Sequence, residues 1–399
     1  MSKPKMFEKP HGLTDYLPGA VRKLRYIEQT VLSCMANWGY EQIVTPSMEY
    51  YDTVGMASST SDQKLFKLLN NRGTTMVLRS DMTGPIARVV SSLLQDRQFP
   101  IRLSYHANVF RSIEEEAGRE AEFFQTGVEL IGDSSAEADA EVVALAIATL
   151  KAIGIDRFKI AIGHVGFMNS LFAAILADDP LMQETLKSKL LDRDYVGYRQ
   201  QLQQLQLDVA LKNELEGMLL LRGGKEICAK AMQMNKDETA HKAISHLSDL
   251  WDALQDYGVA EHVMIDLTMI GDFTYYTGMI FEGYAADLGF PVVSGGRYDN
   301  LLAQFGRPAA ATGFALKTTR LVELLQPEED GASLRHLIVY TDAGRSKAIA
   351  AAQQMRLQGK VVITEYLAQI PASLSVQDAS KVYKGQSFIE IHLYDGEEK

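Results

Sequence analysis

The residues able to do chemistry gather first between Arg102 and Gly132, where Gln125 and Glu129 stand on either side of Gly127. Two stretches rich in β-branched and aromatic residues are separated by a charged, glycine-containing loop, which predicts a strand, a loop and a returning strand. Side chains alternate across a strand, so Phe123, Gln125, Gly127, Glu129 and Ile131 share one face. Tyr105, Ala107, Val109 and Arg111 share one on the other strand. At roughly 3.3 Å rise per residue, Gln125 and Glu129 lie about 13 Å apart, with a gap above Gly127 where a small polar molecule could rest. Polar residues on an antiparallel strand also occur simply facing water, so the face alone leaves both readings open.

Further candidates lie elsewhere in the chain. Asp81 and Thr83, two apart in TTMVLRSDMTGPIARVV, point the same way if that segment stays extended, although an acid just before a helix also serves as a cap. Tyr275 and Tyr276 are adjacent, and both can line one pocket only where the backbone departs from a regular strand.

The elements that must position these residues are legible from spacing and punctuation. Leu24, Ile27, Val31, Cys34 and Met35 recur at helical spacing and stop at Trp38-Gly39. YEQIVTPSMEYYD reads as a strand ending at Pro46, and Pro85 suits the first turn of a helix. Ser134 and Ser135 can cap a helix through Leu150, and a strand starts at Phe158. Residues from about 167 to 255 are helical in pattern, and strands resume at His262. After Pro327, EEDGAS reads as a linker, followed by a strand, a helix and further strands. The expected domains are 1-330, with a helical insertion at about 167-255, and 331-399.

At 399 residues the chain is longer than one average domain, and its 46% hydrophobic and 23% charged residues are the balance of an ordinary globular protein. The net charge of −11 weighs against nucleic acid as the main partner. Cys34 and Cys228 have neither disulfide-framework nor zinc-site spacing, so no metal is expected. No signal-peptide core and no apolar run of membrane-spanning length is present, which predicts a cytoplasmic protein with no membrane partner.

Phe110, Arg111, Gly118, Arg119, Glu122, Phe123, Gln125, Val128 and Glu129 together resemble motif 2 of class II aminoacyl-tRNA synthetases, in the pattern of the histidyl type. The first helix, strand and Pro46 resemble motif 1, which in that family builds a dimer interface. Lys9 to Pro18 is similar to the opening segment of histidyl enzymes. LRSDMT resembles their Leu-Arg-Pro-Glu-Gly-Thr segment, with Asp81 in place of Glu and Ser80 in place of Pro. Tyr275-Tyr276-Thr277-Gly278 resembles their histidine-binding loop, and Gly295 to Asp299, with TGF and Arg320, resembles the entry to motif 3. The resemblance implies an α+β fold, a class II antiparallel sheet flanked by helices, with a helical insertion and a small, truncated α/β domain of the anticodon-binding kind.

Departures from the pattern carry as much information. Gly271, Asp272, Phe273 and Thr274 stand where the family has Arg-Gly-Leu-Asp, whose arginine approaches the reacting carboxylate and α-phosphate. Ile113 replaces an acid, with Glu114 one step away, and Lys317 replaces the glycine ahead of the motif 3 arginine, followed by Thr318-Thr319. Adenylation needs positive charge on the phosphates, so the ATP half of such a site reads as dismantled. The amino-acid half is kept in Asp81, Thr83, Arg111, Gln125, Glu129, Tyr275 and Tyr276. By the resemblance, Glu129 would accept an imidazole N–H, Asp81 would pair with an α-ammonium and Arg111 with a carboxylate.

That combination resembles the histidyl-tRNA synthetase-like regulatory subunits of ATP phosphoribosyltransferase. The resemblance implies a protein with no catalytic residues and no cofactor, a homodimer inside a hetero-oligomer with the short catalytic subunit. It would be required for that subunit's activity in the first step of histidine biosynthesis and for feedback by L-histidine. Two other readings are an active histidine-tRNA ligase, which would need Ile113, Gly271 and Lys317 all compensated, and a tRNA-binding regulatory module, which predicts a basic face.

Overall fold

The computed structural model describes residues 8–55, 57–58, 60–112, 120–177, 179–270, 275–286, 288–325, 335–371, 374 and 382–396. The chain divides into two compact units, Met1–Leu325 and Gln326–Lys399. EEDGAS, Gly118, Arg119, Ile113, Glu114 and the run 271–274 lie outside the described residues.

In the first unit α1 (Pro18–Asn37) opens with proline in its first turn and buries Leu24, Ile27, Val31 and Met35, the stripe its spacing predicts. Gly39 takes φ 82° just beyond its end, a conformation open to glycine without a Cβ penalty. The segment around Pro46 is not one strand. It supplies β1 (Glu41–Gln42) and β2 (Met48–Tyr50), which belong to different sheets. The carbonyls of Thr45 and Pro46 between them accept from the buried Arg79 guanidinium, so the linking backbone bonds to a side chain instead of a ladder. β3 (Lys67–Leu69) and β4 (Thr75–Leu78) complete a small antiparallel sheet with β2.

After α2 (Thr83–Ser92) come β5 (Ile101–Phe110) and β6 (Glu122–Ile131), an antiparallel pair ten residues long on each side. Next are α3 (Ala136–Ala152), capped by the Ser135 hydroxyl, and β7 (Phe158–His164). The helices α4 (Val165–Ile175), α5 (Pro180–Leu191), α6 (Tyr195–Gln204) and α7 (Val209–Gly217) lead to β8 (Arg222–Gly223), then α8 (Glu226–Met234) and α9 (Glu238–Asp256). β9 (Val263–Asp266), β10 (Met279–Ala285), β11 (Pro291–Arg297), β12 (Ala311–Lys317) and α10 (Thr318–Leu324) finish the unit.

The large sheet runs β1-β5-β6-β12-β11-β10-β7-β9-β8 and is antiparallel except at β1–β5 and β7–β9. Alternation sorts its two faces. Val128 and Leu130 join α1, α3 and α9 in the main core, whereas Leu103, Tyr105, Ala107 and Val109 pack toward Met82, Ile86 and Val90 at α2. On that second face α2 leaves the middle of the sheet open, and Gln125 and Glu129 point into the opening.

The second unit holds β13 (Arg335–Tyr340), α11 (Arg345–Leu357), β14 (Val361–Tyr366), the short hairpin β15 (Val382–Tyr383) and β16 (Gln386–Ser387), and β17 (Glu390–Tyr394). β13 is central in a parallel sheet between β14 and β17, with small apolar clusters on both faces. Among the described residues no helix is long and apolar enough to cross a membrane.

Candidate ligand pocket

Asp81, Thr83, Arg111, Gln125, Glu129, Tyr275 and Tyr276 all line one cleft on the α2 face of the sheet, with about 390 Å³ of empty space, part of it open to solvent. Three separate stretches therefore meet there, over a floor set by the register of β5, β6, β12 and β11. Leu103 pairs with Glu129, Glu129 with Gly313 and Gly313 with Gly296, which forms a row across four strands.

Glycines in that row make the space. A Cβ at Gly313 would sit 2.1 Å from Oε2 of Glu129 and 2.4 Å from the Val128 carbonyl, so only glycine leaves the carboxylate its place. A Cβ at Gly296 would come within 2.9 Å of the Tyr276 ring. The gap expected above Gly127, in contrast, is filled by protein. Tyr105 lies directly opposite it and leans across, so a Cβ at Gly127 would be 2.5 Å from the Tyr105 hydroxyl and 2.1 Å from the Phe314 carbonyl. A large ring opposite a glycine fills the vacancy that strand alternation alone predicted, and Tyr105 itself becomes part of the pocket wall.

Glu129 is the centre of the site. It is 2% exposed, and its carboxylate accepts from Oγ1 of Thr83 at 2.8 Å and from the Tyr298 hydroxyl. Burial pushes its carboxyl up to about 8, with the Asp81 charge adding to the rise and the two hydroxyl donors opposing it. Burial likewise raises the Tyr105, Tyr275 and Tyr298 hydroxyls, which therefore stay protonated and able to donate.

Asp81 and Thr83 reach the pocket by a route other than an extended segment. Met82 between them is already in the right-handed helical region, and Thr83 is the first residue of α2. Asp81 takes both roles open to it. Its Oδ1 accepts from the Gly84 N–H at 3.1 Å as a helix cap, while its Oδ2 accepts from Ser58 and Ser80 hydroxyls at 3.2 and 3.3 Å. Arg111 donates from Nε to the Ser80 carbonyl at 2.9 Å and lies over Phe123, 5.4 Å from the ring centre, which sets the guanidinium at the pocket edge.

Tyr275 and Tyr276 sit in an irregular segment before β10, as their joint presence in one pocket requires. Their rings meet edge to face at 5.1 Å, and Tyr275 meets Tyr298 at 5.6 Å. Thr277 holds this segment to the sheet by donating its N–H to the Arg297 carbonyl at 2.8 Å. Tyr298, Tyr105 and the glycines at 296 and 313 are among the pocket residues that sequence spacing missed. The signal for Tyr298 and Gly296 was the GGRYD run, but nothing in that run says which of its residues faces the cavity.

Arg297 faces the other way and anchors the site from behind. Its guanidinium grips the fully buried Asp139 through two bonds of 3.0 Å and also reaches the Asp133 and Ser135 carbonyls and Asp299. Nε2 of His246 on α9 meets Asp139 at 2.7 Å. Burial pushes the Asp139 carboxyl up, but His246 and Arg297 outweigh it and hold it below the usual range. This buried ion pair ties β11, and with it Tyr298, to α3 and α9.

Where the motif 3 pattern departs, the positions have other partners. Lys317 pairs with Gln125 in the sheet and so lies on the pocket face, two rows from Glu129. Thr318 shares a hydrogen bond of 2.9 Å with Thr126, and Thr126 one of 2.7 Å with Nδ1 of His106. The Thr319 hydroxyl accepts from the Phe124 N–H, and Arg320 donates to the Pro291 carbonyl at 3.2 Å and stacks on Phe290.

The histidyl-tRNA synthetase family profile matches residues 12–321. Proteins named ATP phosphoribosyltransferase regulatory subunit are 46% identical in Bacillus licheniformis and 44% identical in Bacillus subtilis, each over 92% of this chain and 93% of the relative. The chain belongs to the ATP phosphoribosyltransferase regulatory subunit family, a branch of the histidyl-tRNA synthetase-like proteins. A crystal structure described as an ATP phosphoribosyltransferase regulatory subunit/histidyl-tRNA synthetase from Bacillus halodurans has a TM-score of 0.88 at 41% identity, covering 99% of this chain and 100% of that one. Histidyl-tRNA synthetase from a Nostoc species, at 21% identity and TM-score 0.78 over 94% of this chain and 89% of that one, shares the fold. The class II α+β architecture expected from the motifs is thus the architecture found.

Proposed function

We propose that this chain is the non-catalytic regulatory subunit of ATP phosphoribosyltransferase, that it assembles with the short catalytic subunit in the cytoplasm, and that L-histidine bound in the pocket is its effector. The observation that carries the reading is a buried acid flanked by a second acid, a guanidinium at the edge and four tyrosines, with Lys317 on the same face of the sheet. Glu129 accepts an imidazole N–H, Asp81 accepts from the α-ammonium and Arg111 meets the carboxylate, the last two as charge-assisted bonds. Thr83 and Tyr298 hold Glu129 in place, and Gln125, Tyr275 and Tyr276 close the walls. No tRNA partner is part of the proposal.

A second copy of the chain covers the segment around Pro46. Val44 is 82% exposed, and Met48, Tyr50 and Leu68, which share one face of the small sheet, are exposed as well, apolar surface of the kind that interfaces bury. Residues 331-399 act as a truncated anticodon-binding-like domain. Histidine shifts the assembly toward an inhibited arrangement only to the extent that it binds that arrangement more tightly. Tyr298, which touches both Glu129 and the Arg297–Asp139 anchor's strand, is the route by which pocket occupancy reaches α3 and α9.

The test is the phosphoribosyltransferase rate of a short catalytic subunit with and without this protein, at zero and saturating histidine. Activation by the protein and its reversal by histidine are expected, and Glu129→Ala abolishes the reversal while leaving assembly intact. Activation with inhibition unchanged in Glu129→Ala moves the effector site elsewhere. No change in rate rejects the subunit assignment, and histidine-dependent pyrophosphate exchange or salt-dependent tRNA binding would then identify which alternative holds.

A further inference from the structure

The second unit carries a side-chain cluster that the pocket chemistry does not involve. In the parallel pair β13–β17, His336 pairs with Glu390 and Ile338 with His392. Strand alternation therefore places the side chains of His336, Glu390 and His392 on one face, continuing the row in which Ile338 packs toward α11. Nδ1 of His336 lies 3.5 Å from Oε2 of Glu390, and Nε2 of His392 lies 3.3 Å from the same oxygen. All the ligand-capable atoms fall within 4.8 Å of one another.

Two features separate this cluster from a chance surface grouping. His336 is 6% exposed, and its Nδ1 is aimed at the cluster without a hydrogen-bond partner. Nε2 of His392 is likewise shielded from water and, although close to Glu390, makes no oriented hydrogen bond. Buried polar nitrogens are normally hydrogen-bonded, so two that converge on one carboxylate without an oriented hydrogen bond to it leave their lone pairs free for an electron-pair acceptor between them. The donor set of two imidazoles and one carboxylate suits borderline transition ions, whereas calcium and magnesium favour oxygen alone. With bonds of about 2.0–2.1 Å, tetrahedral ligand atoms stand roughly 3.3 Å apart, which the two histidine–glutamate separations already approach. The half-exposed His392 can rotate to close the remaining distance. Lys360 acts on His336 against a bound cation, and Glu390 acts for it.

We propose that His336, Glu390 and His392 form a binding site for a divalent transition ion of the zinc type, with water or a further ligand in the fourth position on the exposed Glu390 side. The ion bridges the edge strand β17 to the central β13, which closes a small unit whose apolar clusters are modest.

The experiment uses full-length protein without a polyhistidine tag, freed of metal by chelator and titrated with Zn(II) by equilibrium dialysis and with Co(II) by visible absorption. One ion per chain and the ligand-field bands of four-coordinate Co(II) are expected. Glu390→Gln and His392→Ala each weaken binding by about tenfold or more, the loss that even an outer-shell partner causes, while His241→Ala leaves it unchanged. Equal affinity and stoichiometry in the His336→Ala/His392→Ala double variant overturn the proposal, as does the lack of any bound ion. If His336→Ala fails to fold, the exposed Glu390→Gln decides the matter by itself, since its carboxylate supports no apolar cluster.

Discussion

Replacing Glu129 by Gln keeps the shape of the pocket and removes one titration, which makes the electrostatics of the site measurable. In the folded protein burial pushes the Glu129 carboxyl up to about 8, against an ordinary glutamate value of about 4.3 in the unfolded chain. A group whose folded value is raised contributes stability that is fully present below the unfolded value and is lost as pH rises through the folded one. The loss in wild type therefore runs from about pH 4 to pH 8, at about 1.4 kcal/mol per pH unit, and is on the order of 5 kcal/mol in all. Glu129→Gln has no such slope, because its amide stays neutral, and the Thr83 and Tyr298 hydroxyls can still bond to it. The assay is urea unfolding of both proteins at pH 5.5, 6.5 and 7.5, taking the difference so that all other titrating groups cancel. Wild type should lose stability relative to Glu129→Gln at each step, by about 1 kcal/mol or more per unit. Parallel stability profiles would refute the buried, proton-holding Glu129 on which the pocket chemistry rests.

Gly313→Ala places a Cβ 2.1 Å from the Glu129 carboxylate and 2.4 Å from a strand carbonyl, so a cost of about 1–3 kcal/mol is expected in chemical denaturation, together with weaker histidine binding by calorimetry. A variant as stable as wild type and as responsive to histidine would show that the row of glycines is not needed. Asp139→Ala leaves the buried Arg297 guanidinium with only the partly exposed Asp299 and should cost about 3 kcal/mol, seen as a lower unfolding midpoint. The Asp139 carboxyl is held below its ordinary value, so its contribution is present above the unfolded value and is lost as pH falls through the folded one. The penalty of the variant should therefore shrink in acid, and a penalty independent of pH would count against the ion pair.

Much of the architecture was legible because local rules act over a few residues. The helical spacing of Leu24, Ile27, Val31 and Met35 reappears as the buried stripe of α1, and the long runs on either side of the charged loop became β5 and β6. Around Pro46 those rules failed, since the Arg79 guanidinium, distant in sequence, takes the carbonyls a continued strand would have used. The composition of the pocket was likewise readable residue by residue, because Asp81, Thr83, Arg111, Gln125, Glu129, Tyr275 and Tyr276 lie in short runs of recognisable pattern and all line one cleft.

What the amino-acid order by itself determined was which polar side chains are available to the cleft, and on which strand face Gln125 and Glu129 must lie, for alternation is a property of the backbone alone. Only the tertiary structure decided where the open space is. Tyr105 reaches across to cover Gly127, while Gly296 and Gly313 on two later strands hold the cavity open, and these contacts depend on register between segments far apart in the chain. The same holds for the charge on Glu129. A carboxyl exposed on a strand is an ordinary acid, and it becomes one that holds its proton near neutrality only because α2, β11 and β12 close over it and take its water away.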